Sequence, residues 1–233
     1  MATQTPQAKL LNWYRTRYPF VVNIVGDYAG SSPFLIDGDS LLRKVFSDKR
    51  IDFSTGFQLL HATYVAEKFL EDLRKRNCVF DVVFFDQHSS ICLPAWNPDY
   101  AWKYVFAREV ILRHLQSLKR DGETFAWKFA TVTDEAFGNW LSQREPLFVM
   151  AHDGDDILAQ RGDDNSEEGS QELNEDEDDT TAKEWEVKAM IYRFMHMGKG
   201  YNVGLINSVR FEDSKVCFCH HRRQLWRCYR LTA

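Results

Sequence analysis

Acidic residues recur where short apolar runs end. Phe34-Leu35-Ile36 runs into Asp37 and Asp39, and Val82–Phe85 runs into Asp86. Leu147–Met150 is followed by Asp153 and Asp155, and Val203–Ile206 by Glu212 and Asp213. Carboxylates gathered at one sheet edge repel each other unless a cation sits among them. Mg²⁺ and Mn²⁺ prefer such oxygen ligands, and a one- or two-metal site of that kind turns water against a phosphodiester. The candidate catalytic set is Asp37, Asp39, Asp86, Asp153 and Asp213, with Asp37 and Asp86 as the candidate Mg²⁺ or Mn²⁺ ligands. Taken singly, each acid also suits a helix cap or a turn. Repetition at strand ends is what favours chemistry.

Those acids need strands to carry them. The sequence predicts strands over 34–37, 80–85, 125–132, 147–150 and 203–206, and helices near 58–76, 99–118, 134–143 and 182–197. Residues 216–219 read as a sixth strand or a helix start. In 58–76 the apolar positions Phe57, Leu60, Tyr64, Phe69 and Leu73 fall at roughly helical spacing, as do Trp102, Val105, Phe106, Ile111 and Leu115 in 99–118. Strands alternating with helices imply a mainly parallel sheet covered on both faces, with sites outside the strands' carboxyl ends. Asp37 is expected to be more enclosed than Asp39, which is expected to start the following helix. Residues 1–30 read as an N-terminal helical extension, with a short amphipathic helix over 7–17, and 31–233 as one α/β domain.

The net charge of −5 over 233 residues conceals two parts. Residues 153–179 hold 13 acids and one base, Arg161, a net −12, so the remaining 206 residues carry +7. With almost no apolar residue to bury, the insert at about 160–179 is expected to be disordered. The basic remainder suits a polyanion. Its C-terminal stretch interleaves Arg210, Lys215, Arg222, Arg223, Arg227 and Arg230 with Trp226 and Tyr229, a pattern able to contact phosphates and stack bases. Cys217-x-Cys219-His220-His221 is a weak zinc motif without a second knuckle, so zinc is not expected. Gly198-Lys199-Gly200 is no phosphate-binding loop, and Asp134-Glu135-Ala136-Phe137 is an ordinary helix start. No nucleotide cofactor is expected, and no membrane span. Five cysteines at irregular spacing read as reduced thiols of a cytoplasmic, or nuclear, protein.

The string Phe34-Leu35-Ile36-Asp37-Gly38-Asp39-Ser40-Leu41-Leu42 resembles the opening strand of PIN-like nuclease domains. More closely, it is similar to the N-terminal PIN-like region of the large antiviral-type, superkiller-related DExD/H-box RNA helicases. The likeness continues through Glu67–Leu73, Val82–Phe85, Leu147–Ala151 and Asn202–Ser208. It implies a three-layer α/β/α, Rossmann-like PIN domain, with Asp37 as the first-strand metal ligand and Asp86 as a further acid. The helix acid of active PIN domains has only Glu109 or Glu135 as counterparts. Three functions stay open: an RNA-binding module of an ATP-dependent helicase system, an active Mg²⁺/Mn²⁺-dependent ribonuclease, and a catalytically dead protein–protein scaffold. The partners implied are RNA, a helicase module and RNA-decay or antiviral factors.

Overall fold

The computed structural model describes residues 20–22, 30, 32–48, 50–53, 56–93, 100–120, 122–152, 188, 191–206 and 214–217. The strands are β1 (Phe20–Val22), β2 (Phe34–Asp37), β3 (Phe80–Phe85), β4 (Lys119–Arg120), β5 (Glu123–Thr124), β6 (Ala126–Phe129), β7 (Phe148–Ala151), β8 (Asn202–Leu205) and β9 (Ser214–Cys217). The helices are α1 (Gly38–Phe46), α2 (Leu59–Lys75), α3 (Ala101–Ser117), α4 (Glu135–Arg144) and α5, residues 191–198. A 3₁₀ segment, Asp86–Cys92, follows β3.

The main sheet has the order β1-β9-β8-β7-β2-β3-β6. Its five strands β8-β7-β2-β3-β6 are all parallel, as the alternation of strands and helices predicts. β9 is a strand, not a helix start, and pairs antiparallel with both β8 and β1. β1, in the N-terminal stretch, joins this sheet at its edge. The helix expected over 7–17 and the acidic insert at about 160–179 lie outside the described residues.

Alternation along the strands builds two cores. Phe34, Ile36, Phe80, Val82, Phe84 and Met150 face α1, α2 and α3. Leu35, Val83, Phe85 and Val149 face α4 and α5. This is the expected three-layer α/β/α arrangement, and each strand is apolar on both faces because both are covered. Phe34 and Phe148 stack across β2 and β7 at 4.8 Å.

Two helix faces differ from the sequence pattern. In α2 the buried positions are Ala62, Ala66, Leu70 and Leu73, while Phe57, Leu60 and Tyr64 are exposed. In α3 they are Tyr104, Ala107, Arg108, Ile111, Leu112 and Leu115, while Trp102, Val105 and Phe106 are exposed. Small residues let these helices sit close to neighbouring elements and push the larger apolar side chains outward.

Candidate functional site

From β2 the chain builds outward through β3 and β6, then returns to the other side of β2 with β7 and β8. The order reverses between β2 and β7, where open α/β sheets place their sites. Asp37 ends β2 and Asp86 follows β3 at the same carboxyl edge. His152 follows β7 and is buried.

Asp37 and Asp39 are both fully buried, so neither is the more enclosed. Their expected roles are also exchanged. Asp37, not Asp39, is the N-cap of α1: it takes the amide of Ser40 on Oδ1 at 2.7 Å. Gly38 makes this turn feasible, because a Cβ there would lie 2.4 Å from the ring of Phe84. Asp39, in the first turn, points to the other side of the sheet.

The period of the strand separates the two carboxylates. Asp37 shares the face of Leu35, against α5. There Tyr192 donates its hydroxyl to Oδ2, and His196 Nε2 lies 3.6 Å from the same oxygen. Burial opposes ionisation of Asp37, but the nearby His196 imidazole, followed by the Tyr192 hydroxyl and the Ser40 amide, outweighs it. The carboxyl is held below its ordinary value.

Asp39 meets α3. Arg108 grips it in a fork, with Nε on Oδ1 and Nη2 on Oδ2 at 3.0 Å. The Phe85 amide lies 3.3 Å from Oδ2, and Arg108 also donates to the Phe85 carbonyl at 3.1 Å. Burial pushes Asp39 up, to about 7, against the bonds and charge of Arg108, and the charge of Asp37 adds to the rise. Burial works against the Arg108 charge too, but the Asp39 bonds win and hold the guanidinium protonated. The acid half of this pair therefore yields first as pH falls.

Asp86 is about half exposed. Its Oδ1 lies 3.2 Å from Lys128 Nζ and 3.6 Å from Arg108 Nη1. Glu109 pairs with Arg113 at 3.0 Å and lies 3.7 Å from Lys128. Glu135 is an exposed first-turn acid of α4, capped by Asp134. Asp153, Asp155, Glu212 and Asp213 lie outside the described residues. So do Arg210, Arg222, Arg223, Arg227, Arg230 and the Cys219-His220-His221 part of the zinc motif. For Lys215 only the backbone pairing with Val21 is described.

Three of the expected acids thus share one edge, but they do not share a centre. Asp37 turns to α5, Asp39 to α3, and Asp86 to Lys128. Arg108, Tyr192 and the Ser40 and Phe85 amides occupy the lone pairs a cation would need. Among the described residues no group of three or more His, Cys, Asp or Glu side chains could hold a metal.

Sequence reasoning missed Arg108, Tyr192 and His196. A signal existed for the first. Arg108 falls on the apolar stripe of Tyr104, Ile111 and Leu115, where a charge requires a buried partner. Tyr192 and His196 stand at i and i+4, one face of a helix.

The family model described as ATP-dependent RNA helicase DDX60, PIN-like domain, matches residues 15–160. The chain belongs to this family. The match runs from before β1 past β7, and it contains both the Phe34–Leu42 string and Arg108. The DDX60 PIN-like match ends before α5, so both α5 partners of Asp37 come from outside it. No solved structure matches the chain. Among the described residues, no helix is long and apolar enough to cross a membrane.

Proposed function

We propose that this DDX60 PIN-like domain binds RNA for a helicase system and does not cut it. The observation that carries the second half is the engagement of the edge acids by the protein's own donors. Arg108 covers Asp39, Lys128 faces Asp86, and Tyr192 with the α1 amide covers Asp37. A nuclease needs close carboxylates with free lone pairs to hold metal and aim water. Support for RNA comes from the family and from the +7 carried outside residues 153–179. Arg210, Lys215, Arg222, Arg223, Arg227 and Arg230 are the contacts we assign to phosphate. On this reading the domain works in the cytoplasm, or the nucleus, beside RNA-decay or antiviral factors.

The test is binding of single-stranded RNA across salt. Six phosphate contacts should weaken affinity on the order of 10²-fold between 50 and 200 mM salt. Replacing Arg222, Arg223 and Arg227 by Glu should remove most of it. Absence of binding at low salt would sink the RNA half and leave the scaffold reading. Incubation with Mn²⁺ should leave the RNA intact. Cleavage that disappears in Asp86→Asn, a change at an exposed side chain, would restore the Mg²⁺/Mn²⁺ ribonuclease.

A further inference from the structure

The outward faces of α2 and α3 carry more apolar surface than a solvated helix face needs. Leu60 is 86% exposed, Trp102 66%, Tyr64 57% and Phe106 54%, with Phe57 and Val105 at 40% and 41%. These six form one patch. Phe57 meets Phe106 across the helix pair at 5.8 Å, and Phe57 leans on Phe53 at 5.3 Å. Lys103 donates to the Phe53 carbonyl at 2.8 Å and covers the rings of Tyr100 and Trp102. Phe57, Leu60 and Tyr64 follow helical spacing, as do Trp102, Val105 and Phe106.

We propose that this patch joins two copies of the chain in an isologous dimer. Two observations select a second copy. The first is area. With aromatic side chains of about 150–250 Å² each, the exposed fractions leave on the order of 600–700 Å² uncovered. A standard interface takes about 800 Å² from each partner, and a monomer's largest apolar patch is usually about 300–600 Å². The second is charge. A two-fold axis sets the patch against itself, so its border must not carry one sign. Glu67 bonds His114 at 2.7 Å and Glu109 pairs with Arg113 at 3.0 Å. With Lys68 and Lys103, the border holds two acids and three bases. Such a border is close to neutral, and its cations are largely engaged. That disfavours RNA, which needs cations aimed at phosphate. An aromatic centre poor in charge, inside a polar rim, is the composition of a protein interface.

The experiment is sedimentation velocity of the full chain from about 2 to 300 µM. The weight-average mass should rise from the 27.3 kDa of one chain toward twice that value. Leu60→Asp and, separately, Phe106→Asp should each raise the dissociation constant at least tenfold. Both positions are exposed, so far-UV circular dichroism and melting temperature should match the parent. A parent that stays at one chain's mass at every concentration overturns the proposal. So does a dimer that both variants leave intact. Amide exchange of α2 and α3 that does not slow as the concentration rises through the dimer's range also overturns it. RNA that protects these helices in a monomer does the same.

Discussion

Asp37 and Asp39 stand two residues apart and are shifted in opposite directions because each faces a different set of donors. Asp37 is held below its ordinary value, so the unfolded chain binds the extra proton. Its contribution is present above an unfolded value of about 3.9 and is lost as pH falls through the lower folded value. Asp37→Asn should cost about 1.5–3 kcal/mol at pH 7, the worth of hydrogen bonds to a charged group. Urea unfolding at pH 7 and pH 3 should show that cost shrinking in acid. Asp39 behaves the other way. Its raised value means that the folded state holds the proton, so its term weakens stability as pH rises from about 4 through 7. Arg108→Met should destabilise by about 3–5 kcal/mol, since it leaves a buried carboxylate without its partner. The loss should be larger at pH 8 than at pH 5.5, where Asp39 can hide its charge by protonating. An equal loss at both values would contradict the pair as described. The acids themselves were legible, because apolar runs end on them. Their partners were not: Arg108 lies 69 residues from Asp39 and Tyr192 lies 155 from Asp37, and no local pattern links residues so distant.

The β2–α1 junction shows what one element requires of its neighbour. The ring of Phe84 of β3 lies against Gly38 and is fully buried. Gly38→Ala should therefore cost about 1–3 kcal/mol through overpacking, read as a lower urea midpoint with an unchanged slope. Gly38→Ala combined with Phe84→Leu should recover part of it. Strands β2, β3, β7 and β8 fall close to their predicted spans, β2 and β3 because short apolar runs ending in Asp leave little freedom. Helices α2 and α3 also appear where expected, with Leu73, Ile111 and Leu115 buried as the spacing implies, but Leu60, Tyr64, Trp102, Val105 and Phe106 face outward. Spacing alone offers two stripes in each helix, one rich in Phe, Tyr and Trp and one rich in Ala and Leu. The large residues suggest a core by hydrophobicity. Close packing chose the smaller ones, and that choice depends on inter-element distances that the sequence does not display.

In the described sheet, β2, β3 and β7 each have parallel partners on both sides, one made before and one after the chain's midpoint. Hydrogen exchange should rank accordingly: amides of β2 and β3 slowest, opening only with global unfolding, and those of the terminal pair β1 and β9 fastest. Equal protection across all seven strands would contradict this order. The same layout divides the two carboxylates in time. The clamp on Asp39 is complete once α3 exists, whereas Asp37 waits for α5, 84 residues further along the chain than Arg108. At about 5–20 residues per second, a ribosome takes on the order of ten seconds to supply that difference. During this interval the nascent domain holds one satisfied acid and one whose hydroxyl and imidazole partners have not yet been synthesised. The Tyr192–Asp37 contact can therefore form only after β7 and α5 have been synthesised.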